Sequence, residues 1–184
     1  SDEHRRYGAD GVDEAPSAAE PPAEGRGAVR IAAKDIDPAD PGPPQFSTIH
    51  GVKVSNDGLV YAADRGGKRV QVFTLDGRFV TQAFVDRWCE APHCGNGETV
   101  ASVAFSADSA QRFLYVASRS PARIWVLDRK SLRALDSFGR PGVAPGEFYV
   151  IHHMTSDSKG NLYASEVQDG RRIQKFVFKG LARQ

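Results

Sequence analysis

The strongest constraint on this chain is that it repeats itself. Phe46, Ile49, His50, Gly58 and Tyr61 recur, in the same order and spacing, as Phe148, Ile151, His152, Gly160 and Tyr163. In both copies a Gly falls eight residues after the His and a Tyr eleven after it. A middle copy runs from Ala101 through Phe105, takes an insertion, and resumes at Leu114 with Tyr115, Val116 and Ala117. It carries Ala101 where the others carry His, and the steps from His50 to Ala101 and from Ala101 to His152 are both 51 residues. The second halves repeat as well: residues 69–73, 123–127 and 172–176 align, each opening on an arginine (Arg69, Arg123, Arg172). Self-similarity at such a period points to stacked or radially arranged units, none of which buries a core alone.

Within each unit, apolar and polar residues alternate over five or six positions. The runs are separated by turn signals such as Asp57-Gly58, Asp76-Gly77 and Lys159-Gly160. That is the pattern of antiparallel strands joined by tight turns. After the first two units, residues 76–80 and 131–135 supply a further outer strand. Four short strands in about 50 residues is the anatomy of a β-propeller blade. The expected fold is therefore all-β, a propeller of about three four-stranded blades, although little sequence remains for a fourth strand in the last unit. The 18 Gly and 11 Pro exclude a long coiled coil. No apolar run approaches the ~20 residues needed to cross a bilayer as a helix. With 24 basic and 23 acidic residues, the charge gives no reason to expect nucleic acid as a partner.

Residues 1–45 read differently: seven prolines, many alanines and scattered acids suit an extended arm or linker. One apolar island, Ala28 to Ala33, has strand character. Residues 46–95, 96–145 and 146–184 are the expected three blades. Cys89 and Cys94 flank a short Pro- and Gly-containing loop, which leaves three readings: a local disulfide, two thiols, or a metal clip with His93. A disulfide would fit an exported, oxidising setting, extracellular or periplasmic.

The motifs quoted above, together with Pro145-Gly146-Glu147-Phe148 and the Arg172-Ile173-Gln174-Lys175-Phe176 run, resemble the NHL-repeat family of β-propellers. The resemblance covers residues 46–180. It implies a six-bladed plan, so that three units would form half of one. Ala63-Asp64-Arg65 and the two Ile-His steps further resemble the peptidyl-hydroxyglycine amidating lyases and their bacterial relatives. That resemblance implies zinc held by His50 and His152, inner-strand positions in alternate units, with Arg65 acting on substrate. Two positions depart from the lyase pattern. Val150 stands where a Met is expected. His153 stands where an acidic calcium ligand is expected, which leaves a calcium site without its carboxylate. Arg5-Arg6-Tyr7-Gly8 resembles the tail of a preceding blade.

The chemistry has its own logic. Inner strands line a central channel, so residues at matching repeat positions converge on one axis. Neutral imidazoles suit zinc or another divalent transition metal. Arg65 can grip a carboxylate through paired hydrogen bonds, and Tyr149 offers a phenol at the rim. His153 is expected to point away from His152, because side chains alternate along a strand. Two functions follow. One is a metal-dependent lyase or hydrolase acting on a small polar substrate. The other is a non-catalytic propeller that binds protein or glycan, in which the histidines only line the channel. Three blades do not close a ring, so the open faces call for an N-terminal propeller half, a second copy or another protein.

Overall fold

The computed structural model of the chain describes residue 42 and residues 44–181. Residues 1–41, which hold most of the expected arm 1–45 and its apolar island, lie outside that set. Eleven strands make three antiparallel sheets and nothing else regular among the described residues. The first blade holds β1 (Ile49–Val54), β2 (Leu59–Asp64), β3 (Arg69–Thr74) and β4 (Phe79–Phe84). The second holds β5 (Val100–Phe105), β6 (Phe113–Ser118), β7 (Arg123–Asp128) and β8 (Ala134–Phe138). The third holds β9 (Ile151–Ser156), β10 (Leu162–Glu166) and β11 (Ile173–Phe176). Each sheet is a plain meander in which neighbours in sequence are neighbours in space. The third blade shows three strands among the described residues, the unit in which the sequence left little for a fourth. No helix among the described residues is long and apolar enough to cross a membrane.

The turns follow from residue chemistry. Gly58 and Gly160 adopt φ of +77° and +83°, the left-handed region that a side chain disfavours. This lets each amide reach back, Gly58 to Ser55 O and Gly160 to Asp157 O, both at 3.0 Å. The alternation then sends one face of each sheet against the next. The first two blades share a core of Tyr61, Ala63, Val70, Val72, Val100, Val103, Phe105, Leu114 and Val116. The second and third share one built on Tyr115, Ala117, Ile124, Phe148, Ile151, Met154 and Leu162. Each Val, Leu, Ile, Phe or Met among them contributes about 1.5–3 kcal/mol when withdrawn from water, before ordering costs.

One irregularity recurs in all three blades. In β1 Ile49 pairs with Asp64 and Gly51 with Ala63, which leaves His50 without a partner position. In β5 the pairing jumps from Val100–Ser118 to Ser102–Ala117, leaving Ala101 out. In β9 it jumps from Ile151–Glu166 to His153–Ser165, leaving His152 out. Every inner strand thus carries a β-bulge at the same repeat position, and both histidines are the extra residue. A bulge bends its strand and re-aims the side chains around it.

Acid–arginine pairs fix the strand that leads into the first and third bulges. Asp64 is fully buried; its Oδ1 accepts the backbone N–H groups of Ser47 and Thr48 at 3.0 and 2.9 Å, and its Oδ2 faces Arg69 Nε at 3.1 Å. Glu166 repeats the device, taking Tyr149 N–H at 2.7 Å and Arg172 Nε at 2.5 Å. In the middle blade Ser118 replaces the acid. Asp86, from the preceding linker, moves in instead and accepts Ser118 Oγ–H at 2.6 Å and Trp125 Nε1–H at 2.8 Å. Cys89 and Cys94 form a disulfide in that linker, the first of the three readings open in the sequence.

Candidate metal centre

The two bulges bring His50 and His152 together from strands 102 residues apart in sequence. Their ring centroids are 4.6 Å apart, with the planes at 82°. His153 joins them, 5.1 Å from His50 in a near-parallel stack and 4.7 Å from His152. This corrects the expectation that His153 points away. Strict alternation holds only for an unbroken ladder, and the bulge at His152 turns two successive side chains toward one place. One nitrogen from each ring lies within 4.8 Å of the others.

The donor chemistry fits a metal. His50 Nδ1 lies 2.6 Å from the Ala101 carbonyl. With the proton on Nδ1, that nitrogen donates and Nε2 keeps its lone pair outward. Metal-bound histidines characteristically pair their second nitrogen with a carbonyl or carboxylate in this way. Burial pushes the His50 pKa down. The Ala101 carbonyl opposes this, while Arg65, His153 and Arg119 add to it. His152 is also held below the usual imidazole range, by burial and then by His50, His153, Arg65 and Arg119. Both rings are therefore neutral near pH 7, the form that binds metal. Imidazole nitrogens at about 2.0–2.1 Å from a tetrahedral zinc stand about 3.3 Å apart, so small rotations would draw this triad onto one ion. The triad contains no carboxylate, which suits metals that favour nitrogen over calcium.

Arg65 sits in the β2–β3 turn, and its backbone N–H donates to Thr48 O at 2.8 Å. Its Nε lies 3.0 Å from Glu98 Oε2, close enough for an ion pair, though without the alignment of a hydrogen bond. Arg119 Nη1 meets the same oxygen at 3.0 Å. Sequence reasoning missed Arg119, yet it is the repeat equivalent of Arg65. Its N–H donates to Thr99 O, two residues before Ala101, as that of Arg65 donates to Thr48 O, two residues before His50. Aligning Ala117-Ser118-Arg119 with Ala63-Asp64-Arg65 would have found it. Two guanidinium groups against one carboxylate leave this region with an excess positive charge. Tyr149 is exposed, and its hydroxyl donates to Asp169 Oδ2 at 3.4 Å, in the turn after β10.

The NHL repeat family matches residues 46–73. That span is similar to an NHL repeat. NHL repeat-containing protein 3 of Homo sapiens is 29% identical over 138 residues, covering 74% of this chain and 37% of that protein. The Mus musculus protein of the same name is 29% identical over 138 residues, with the same coverage. The chain therefore spans little more than a third of the length of these curated relatives. Among solved structures, virginiamycin B lyase from Staphylococcus aureus overlays 74% of this chain and 43% of its own, with a TM-score of 0.48 at 15% identity. The Cps50 (Swd1) beta-propeller domain from Myceliophteria thermophila overlays 66% of this chain and 33% of its own, with a TM-score of 0.45 at 12% identity. The NHL match and the three successive antiparallel sheets agree on a partial propeller whose ends are unclosed.

Proposed function

We propose that this NHL propeller segment holds a divalent metal, zinc by preference, on His50, His152 and His153, and that the site performs lyase- or hydrolase-like chemistry on a small polar substrate. The observation that carries the reading is the convergence of three imidazoles, two of them from equivalent bulges, with one ring already anchored to a backbone carbonyl. The motif resemblance to the peptidyl-hydroxyglycine amidating lyases supports the same reading. When bound, zinc would supply Lewis acidity, polarising a substrate oxygen or lowering the pKa of a bound water to about 7.

The chain's own residues supply the rest. Ala101 O fixes the His50 ring and its tautomer. Asp64 and Glu166 hold the backbone leading into the two bulges, so the rings keep their spacing. Arg65 and Arg119 add positive potential beside the rings, which favours a substrate with anionic or strongly polar groups. Arg65 is the candidate substrate-binding residue, and releasing it from Glu98 is the rearrangement this role requires. Tyr149 retains a candidate role at the rim, with its hydroxyl now turned to Asp169. The disulfide supports a secreted, extracellular or periplasmic setting.

A second reading has its own support. Arg65 is engaged by Glu98, Tyr149 faces Asp169, and the outer sheet faces carry exposed apolar residues. This arrangement also suits a protein- or glycan-binding module with a structural histidine cluster. Metal analysis after dialysis against zinc separates the two. We expect about one ion per chain, and at least tenfold weaker binding in His50→Ala and in His153→Ala with the β-sheet spectrum unchanged. Binding no tighter in the parent chain than in either variant would remove the metal-site reading and leave the binding module.

A further inference from the structure

Repeat-equivalent positions are covered in the inner blades and bare in the first. Val100 and Ile151 are fully buried, whereas their equivalent, Ile49, is 50% exposed. Val103 and Met154 are buried, but Val52 is 54% exposed; Phe105 is buried, but Val54 is 55% exposed. What covers Val100 and Val103 is the face of the preceding blade, formed by Tyr61, Ala63, Val70 and Val72. In the second blade the matching face is Tyr115, Ala117, Ile124 and Val126, which covers Ile151 and Met154. In the third blade it is Tyr163, Ser165, Ile173 and Lys175, and there Ile173 is 72% exposed. Among the described residues both halves of the inter-blade contact are therefore present, one at each outer face, and neither is engaged.

We infer that two copies of this chain close on each other head to tail, the outer face of the third blade of each covering the outer face of the first blade of the other. Two such contacts related by a two-fold axis bury both sets of exposed apolar residues and leave no open blade. The three departures from the inner-blade pattern are compatible with this. Ser165 replaces Ala63 and Ala117, and its hydroxyl bonds within the blade, donating to His153 O at 3.3 Å. Lys175 replaces Val72 and Val126, but its ammonium lies 5.5 Å from the Tyr163 ring centre, so its stem covers apolar surface while the charge stays at the rim. His153 replaces Gly51 and Ser102. Those positions face the inner strand of the next blade, where the Ser102 hydroxyl donates to Met154 O at 3.3 Å and accepts from Met154 N–H at 3.2 Å. In the closed pair His153 would face β1 of the second copy, near its own histidine. The inference does not depend on a bound metal.

Light scattering coupled to size-exclusion, on the full chain over a range of concentrations, tests it. The expected species is a closed pair of twice the 20.0 kDa of the chain. Val52→Asp and Ile173→Lys, both at exposed positions, should each shift the protein to the single-chain mass with an unchanged β-sheet spectrum. Mixing the two variants should restore the pair, because one contact is then unmodified and the other joins the introduced acid to the introduced base. A single-chain mass for the parent at every concentration overturns the inference and assigns the bare faces to another part of the protein or to a different protein. So does open-ended assembly, or a pair that neither substitution disturbs. Should V52D fail to fold, V54S with I173K serves the same comparison.

Discussion

Arg129 shows how much one side chain can tie together. Its Nη1 and Nη2 donate to the two carboxylate oxygens of Asp57 at 2.9 and 2.8 Å. Nη1 also reaches the Tyr61 hydroxyl at 3.1 Å, and Nε the Gln111 carbonyl at 2.7 Å. The first and second blades are thereby clamped at the end of the channel away from the histidines. These bonds, with help from the Ser55 hydroxyl and against some burial, hold the Asp57 pKa at about 2, below the unperturbed 3.8. A carboxyl whose pKa is lower folded than unfolded stabilises the fold above the unfolded value. That stability is lost as pH falls through about 4 toward 2. Because Asp57 is half exposed, solvent screens part of the effect. Thermal melts from pH 6 to pH 2 should show the parent losing more stability than Asp57→Asn across this window. Arg129→Met should cost about 1–3 kcal/mol at neutral pH, measured by urea unfolding.

At the scale of the element, the bulge is the feature that matters. In the sequence it shows only as core apolar residues three apart (Ile49 and Val52, Val100 and Val103, Ile151 and Met154) where strict alternation would place them two apart. The Ile-His steps were legible as equivalent positions through their 51-residue spacing. The direction of His153 was not, since period-2 reasoning assumes an unbroken ladder. Arg119 and Glu98 escaped for another reason. The middle copy replaces His with Ala101 and the acid with Ser118, so its functional equivalence was masked even though its strands were readable. Deleting Ala101 tests the element directly. Without the extra residue, the pairs Val100–Ser118 and Ser102–Ala117 become consecutive, so the ladder closes with Val100 and Val103 still on one face and only the kink is lost. Because the buried Ala101 and its bond to His50 Nδ1 go with it, we expect a loss of about 1–3 kcal/mol with cooperative unfolding kept, read from denaturant melts. Ala101→Gly, which keeps the carbonyl and the count of residues, should cost less.

Over the whole molecule, the all-β propeller plan could be read from repeat period, turns and alternation. The pairing of Cys89 with Cys94 was one of three readings, and the structure settles it. The disulfide sits in the link between the first two blades, where Lys68 Nζ donates to the carbonyls of Arg87 and Cys89. A closed loop this short removes about 2 kcal/mol of chain entropy from the unfolded state. Reduction, or Cys89→Ser with Cys94→Ser, should therefore lower Tm by about 4–8 °C. An unchanged melt would mean that the link is held by packing alone.

The bulge at Ala101 persists although no imidazole sits on it, so the kink belongs to the backbone and not to the chemistry it displays. A hub built this way resembles a rack of identical sockets, of which two are fitted and one is blank. Such a rack can gain or lose a tool by a single codon change while the wheel itself is left unaltered.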